Sequence, residues 1–232
     1  MKTNKIIFEA QSDHVFNVRE KPVPAAKMVP DWWKEIPKYS TSTKLDLGPH
    51  ANVTVKQCAP TIDMITAGYI IPLWCDILVI QENGIPVIKW ATQERVLDVW
   101  SLQQSSTFEV PSGFGKAAYK YYHGWNILTP PGWSCLFTHP VGYQNLPIRS
   151  IPGIVDTDIL TTAINCPFFI KDGFEGVIEK GTPMAQVIPF KRESWESEFT
   201  NPGENKFYNE SEKVFTKVYG YYSSKRAKKS FK

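Results

Sequence analysis

Asp156 and Asp158 stand two residues apart in the segment Gly153-Ile154-Val155-Asp156-Thr157-Asp158, and Gln186 follows Asp156 by thirty positions in Gly181-Thr182-Pro183-Met184-Ala185-Gln186. A carboxylate can orient and deprotonate water, so Asp156 is the candidate catalytic residue of the chain. Asp158, Gln186, His139 and His123 are the candidate binding residues, and the two histidines lie in one aromatic-rich region where they could meet across strands near Asp156. The same residues have plainer uses. Asp caps turns through its own backbone, and a Gln in a closing strand can bond main-chain groups.

Other chemistry is poorly served. His14, His50, His123 and His139 show no H-x-D or H-E-x-x-H spacing, so no metal site is expected. The chain has no G-x-S-x-G elbow, and no Cys has a context that suggests activation. The loop Ser112-Gly113-Phe114-Gly115-Lys116 lacks the G-x-x-x-x-G-K-[ST] spacing and reads as a plain loop, not a phosphate cradle.

The elements that must position these residues are short strands and turns. Strands are expected over residues 6–8, 15–18, 52–56, 69–71, 74–81, 85–90, 108–110, 125–129, 134–138, 154–155, 159–165, 168–170, 177–178 and 185–190. Asn83-Gly84 between two apolar runs is the clearest hairpin signal. Near the start, Pro22, Pro24, Pro30 and Pro37 forbid a long helix and leave one turn over residues 31–35, with Asp31 as its cap. That Pro- and Trp-rich segment is expected to strap across a sheet, with Trp32 and Trp33 as anchors. Residues 61–68 read as a short helix capped by Thr61 and ended by Gly68. Beyond residue 190, Val214, Val218 and Tyr221, with Phe215 and Tyr222 on an adjacent face, recur at helical spacing. A C-terminal helix ending in a frayed basic tail is expected there.

Frequent turn residues between apolar runs suit a mainly β barrel or sandwich. The 232 residues can form a single β-rich domain: a strap over 1–50, a β core over 51–190 and a helical, basic extension over 191–232. With 42% apolar and 13% aromatic residues the composition is that of a globular chain, not a disordered one. The net charge of +3 is too small to demand a polyanionic partner. Much of its excess sits in Lys225, Arg226, Lys228, Lys229 and Lys232, so a nucleic-acid partner is expected, if at all, only through this tail. Cys58, Cys75, Cys135 and Cys166 form no CxxC pair and are read as buried thiols in a reducing compartment. Neither a secretory leader nor a membrane span is apparent.

The order and spacing of Asp156, Asp158, Asn165 and Gln186 resemble the third and fourth motifs of trimeric dUTPases, roughly G-[VIL]-I-D-S-D-Y and G-D-R-I-A-Q. His139-Pro140-Val141-Gly142 matches the place of their P-R-S-G arm, and Ala67-Gly68-Tyr69 echoes A-G-x-D-L with Ile70 in place of the Asp. The resemblance implies a dUTPase-like β-clip fold, with a jelly-roll-like sandwich as the alternative, and it implies trimers. It would make Asp156 the activator of the water that attacks an α-phosphate, with Mg2+ as cofactor if the chain hydrolyses nucleotides. Several departures argue against that chemistry. His139 and Val141 replace the phosphate-holding Arg and Ser, Ile159 replaces the Tyr that discriminates deoxyribose, and no Gly-rich fifth motif closes the chain. The catalytic Glu of the related dCTP deaminases also has no counterpart beside Ile159.

The whole chain also resembles a protein family of bacteriophages, especially tailed marine phages, and some bacteria. The carrying residues are VPDWWKEIP from Val29, GWNILTPPGWS from Gly124 and GTPMAQVIPFKRE from Gly181. This resemblance implies a setting in the host cytoplasm or the virion. The expected function is binding or virion assembly as a homo-oligomer, without catalysis. The alternatives are a nucleotide hydrolase that rebuilt its phosphate contacts with Lys191, Arg192 or tail lysines, and a nucleotide-sequestering protein.

Overall fold

The computed structural model describes residues 4–40, 53–83, 85–201, 208, 211–212, 226–227 and 229–232. The chain is mainly β, with several antiparallel sheets and none closed into a barrel. In order the elements are β1 (Ile7–Ala10), α1 (Asp13–Val18), β2 (Val23–Pro24), α2 (Asp31–Glu35), α3 (Ala59–Ile65), β3 (Tyr69–Pro72), β4 (Ile77–Glu82), β5 (Ile85–Lys89), β6 (Leu97–Val99) and α4 (Leu102–Ser105). They continue with β7 (Phe114–Tyr121), β8 (Trp125–Leu128), β9 (Trp133–Thr138), β10 (Ile148–Ser150), β11 (Gly153–Val155), β12 (Cys166–Lys171), β13 (Gly176–Ile178) and β14 (Pro183–Lys191). The sheets have the orders β1-β8, β10-β12-β7-β6, β11-β9-β14-β3-β2 and β13-β4-β5.

Among the described residues β14 is the longest strand, and it lies between two partners. It pairs with β3 through Pro183–Val187 and with β9 through Gln186–Lys191. Buried on both faces, its first five residues read as a continuous apolar run broken only by Gln186. One apolar cluster joins the sheets, with Ile71, Ile77, Leu97, Tyr121, Ile127, Phe137, Phe168, Ile178 and Val187 among its members. Inside it the Tyr121 hydroxyl donates to the Pro72 carbonyl at 2.8 Å and accepts from the Trp74 N–H at 3.0 Å. A buried hydroxyl needs such partners, and these two join β7 to the end of β3.

The strap crosses this body as a set of anchors. Trp33 is buried, and Trp32, half exposed, donates its indole N–H to the Gly142 carbonyl at 2.6 Å. Arg19 stacks over Trp74 at 4.3 Å and pairs with Glu94 at 2.6 Å. The turn over residues 31–35 is helical, but Pro30 and not Asp31 is the cap residue, and Asp31 pairs with Lys34 instead. The Asn83 turn joins β4 to β5, with Glu82 opposite Ile85 and φ of +54° at Asn83.

Several expected strands are otherwise. Residues 15–18 belong to α1, because the Ser12 side chain accepts from the Val15 N–H and caps a helical turn. Residues 55–57 form a 3-10 turn capped by Thr54, and Asn52 lies outside the described residues. Residues 108–110 and 159–165 form no strand, apart from one bridge between Ala163 and Asn126. Ile159 and Leu160 are instead exposed, Ile159 at 71%. The short helix starts earlier than Thr61, with Cys58 as cap and Pro60 in its first turn.

The C-terminal expectation also changes. Residues 193–201 are neither helix nor strand, and Tyr208, Ser211 and Glu212 are helical. Val214, Phe215, Val218, Tyr221, Tyr222, Lys225 and Lys228 lie outside the described residues. The end of the chain is docked, not frayed. Arg226 and Lys229 pair with Asp63 of α3, and the Phe231 ring packs edge-on against Tyr69 with centroids 6.1 Å apart. Cys135 and Cys166 are buried, Cys75 is partly so and Cys58 is exposed, all four free. Among the described residues no helix is long and apolar enough to cross a membrane.

Gly68 lets the end of α3 approach β14. Its φ is +66°, and a Cβ there would stand 1.9 Å from the Val187 carbonyl oxygen. Gly132 has φ of +82° but open space around it. Gly132→Ala is expected to cost about 1 kcal/mol, the left-handed penalty alone, whereas Gly68→Ala adds a backbone collision and should cost about 3 kcal/mol or more. Urea unfolding of the two variants side by side measures the difference.

Candidate functional site

Pairing of β11 with β9 sets Val155 opposite Cys135, so the next residue, Asp156, comes beside Ser134. The Ser134 hydroxyl donates to the Asp156 carboxylate at 2.6 Å. A tight turn follows: the Ile159 and Leu160 N–H groups donate to the Asp156 carbonyl at 3.0 and 2.8 Å. Thr157 points inward, wholly buried, and its hydroxyl meets those of Thr129 at 2.7 Å and the Cys135 sulfur at 3.4 Å. Asp158 therefore turns back over the β8–β9 connection, where the Gly132 N–H donates to it at 2.7 Å.

Arg192, one residue beyond β14, completes the cluster. Its guanidinium grips Asp158 with two parallel bonds, Nη1 to Oδ1 at 2.7 Å and Nη2 to Oδ2 at 2.5 Å. Nη1 also donates to the Ser134 hydroxyl and the Trp133 carbonyl, each at 3.0 Å, and lies 3.2 Å from Asp156. Such a fork is the strongest geometry available to a carboxylate. It holds the Asp158 carboxyl down to about 2, with help from the Gly132 N–H, while Asp158 in turn raises Arg192. Asp156 is 52% exposed and Asp158 only 7%. The cluster is thus a closed ion-pair knot with one half-open carboxylate.

Gln186 is wholly buried and fully used. Its carbonyl accepts from the Val141 N–H at 2.9 Å, and its amide donates to the Met64 and Ala67 carbonyls at 3.0 and 2.7 Å. His139 is buried beside the same connection: Nε2 donates to the Tyr143 carbonyl at 2.8 Å, and Nδ1 accepts from the Ser150 N–H at 3.3 Å. Burial lowers its pKa, as does Arg149, while the Tyr143 carbonyl opposes the shift. His123 is buried elsewhere, in the β7–β8 connection, with Nδ1 accepting from the Trp125 N–H at 3.1 Å. Desolvation pushes it down to about 4, opposed by the Ile164 backbone.

The five candidates therefore do not form one site. Asp156 and Asp158 share the Arg192 knot, Gln186 and His139 flank the turn over residues 139–142, and His123 stands apart from both. Ser134 and His139 are five residues apart in sequence, about 17 Å along an extended strand, which separates His139 from Asp156. The residues that sequence reasoning underrated are Ser134 and Arg192. Arg192 could have been found as the cation one step past the closing strand, but its partner depends on how β9 and β11 are paired. Among the described residues no group of three or more His, Cys, Asp and Glu is placed to hold a metal ion. Comparison with protein-family models, with curated proteins and with solved structures finds no match to this chain.

Two measurements follow from the buried polar groups. Gln186→Leu removes the partner of the Val141 N–H and of the Ala67 carbonyl and one donor to the Met64 carbonyl, and should cost about 2–4 kcal/mol in urea unfolding at neutral pH. His123 must stay neutral to stay buried. Its folded pKa is depressed, so the unfolded chain binds the extra proton and stability falls as pH drops from about 6.5 to about 4. The loss over that window should be about 3 kcal/mol, and His123→Phe should flatten the profile.

Proposed function

We propose that this chain works by binding and assembly, without hydrolytic chemistry, as a phage-type homo-oligomeric protein of the virion or the host cytoplasm. The observation that carries the reading is the Arg192 knot. Phosphoryl transfer depends on cations that face the substrate's phosphates and on a carboxylate poised over them. Among the described residues the cation paired with Asp156 is Arg192, which is spent on Asp158, and Asp156 is itself engaged by Ser134 and Arg192. Of the other cations near a rebuilt phosphate site, Lys191 pairs with Glu193, and Arg226 and Lys229 pair with Asp63. Gln186 and His139 have no free polar atom to offer a ligand in this arrangement.

The same reading takes the fold as a dUTPase-like β-clip that has lost its chemistry. Motif order and spacing support it. So does the meeting of three motif-bearing segments at Gln186, which bonds Ala67 on one side and Val141 on the other.

Incubation with a panel of nucleoside triphosphates and Mg2+, recording pyrophosphate release and thermal shift together, tests the proposal. No release above the protein-free control and a shift within about 1 °C, as for ligands that do not bind the folded state, are expected. Turnover that Asp156→Asn abolishes would overturn the reading in favour of a hydrolase. A clear thermal shift without turnover would replace it with nucleotide sequestration.

A further inference from the structure

Residues 193–200 form neither helix nor strand, and each of them is exposed. Trp195 is 86% exposed and Phe199 98%. Among the described residues, no backbone group from Ser194 to Thr200 is paired. The order of residue types is that of a strand, not a helix. In an extended chain Trp195, Ser197 and Phe199 share one face, and Ser194, Glu196 and Glu198 share the other. An aromatic face backed by an acidic one is a half-buried strand without its other half.

A complementary surface lies beside the root of this segment. β11 is the outer strand of its sheet, paired with β9 on one side and with no described strand on the other. Ile154 on it is 66% exposed, and Ile159 and Leu160 in the following turn are exposed at 71% and 43%. Arg192 fixes where the segment starts, through its bonds to Asp158 in that same turn and through its N–H to the Gly132 carbonyl at 2.8 Å. Root and acceptor thus share one base, and among the described residues neither has a strand partner.

We propose that residues 193–200 are an exchange arm, which adds as a strand to the β11 edge of a second copy of this chain and covers its Ile154, Ile159 and Leu160 with Trp195 and Phe199. The proposal rests on the assembly reading above and names its surface and partner. Strand addition satisfies the unpaired backbone of arm and edge together. Seven residues of extended chain from Arg192 to Phe199 reach about 23 Å, enough to cross to a neighbour. The area points to a reciprocal pair. Four aromatic side chains at about 150–250 Å² each, with the surface they cover, bury roughly 1,200 Å² or more, the lower bound of a standard interface. One arm on one patch would bury about half of that. Glu196 and Glu198 remain on the outer face, in water.

The test uses the full chain in a Cys58→Ser background, since Cys58 is exposed. A tagged chain carrying Phe199→Cys is mixed with an untagged chain carrying Ile154→Cys and treated with a short bismaleimide. The expected product is the mixed cross-linked pair. Equilibrium sedimentation of Trp195→Ala/Phe199→Ala is expected to show association weakened by about 100-fold or more, as for loss of aromatic anchors. Both side chains are exposed in the single chain, so its thermal midpoint at high dilution should not change. Three results would overturn the proposal: a wild-type chain that stays monomeric, an oligomer indifferent to the double substitution, or no mixed cross-linked pair from an oligomeric mixture. An oligomer indifferent to the arm leaves the assembly reading standing. Nucleotide turnover by an arm-linked pair would overturn that reading and leave the arm in place.

Discussion

A buried amide in the middle of a sheet is tolerable only if each of its polar atoms finds a partner. That requirement at Gln186 governs how three segments of this chain lie. The last carbonyls of a helix have no partner within the helix, and Gln186 supplies donors to two carbonyls at the end of α3, those of Met64 and Ala67. Its oxygen meanwhile fixes the connection after β9 through the Val141 N–H. Gly68 follows from the same arrangement, because no side chain fits between the end of α3 and the Val187 carbonyl. The core strands then inherit their places: β14 joins β3 to β9, and β9 in turn carries β11.

At the other end of β14 the controlling interaction is electrostatic. The Arg192 fork on Asp158 ties the chain leaving the sheet to the turn after β11, with the Ser134 hydroxyl donating to Asp156 and accepting from Arg192. The two carboxylates are alike in sequence and unlike in environment. Asp158 has a bidentate cation and a backbone N–H; Asp156 has a hydroxyl, one longer contact to Arg192 and water on its open side. A cation that neutralises its own chain's carboxylates cannot also neutralise a substrate, and on the reading proposed above this is why the dUTPase-like spacing would not carry its chemistry with it.

Much of the fold was legible where local chemistry decides the outcome. Asn83-Gly84 marked the β4–β5 hairpin, and the alternating and apolar runs located β3, β8, β9, β12 and β14. What failed was pattern read without its cap. Residues 15–18 look like a strand until Ser12 is seen to bond Val15, and residues 159–165 look like one until Asp156 gathers the next turn. The candidate site was legible only as residue types. That Asp156 meets Ser134 and not His139 is a matter of register between β9 and β11, and register belongs to pairing, which one segment's sequence does not contain. The basic tail was misjudged for a related reason: its partner, Asp63, lies more than 160 residues away.

The segment after Arg192 shows how composition can mask a pattern. Counted by type, residues 193–200 are acidic and polar, and they read as part of a charged helix. Counted by position, the two large aromatics fall on one side of an extended chain and Glu196 and Glu198 on the other. A helix would set Trp195 and Phe199 on one face as well, at i and i+4, but Glu196 and Glu198 would then lie away from them on both flanks with Ser197 opposite. The segment is not helical, and both rings stand in water at 86% and 98% exposure. Two aromatics held on a short arm near a strand edge that no described strand covers are costly to leave uncovered, and the charges on the arm's outer face oppose indiscriminate stacking at that edge. Selectivity for a single, reciprocal partner is the arrangement in which both features have a use.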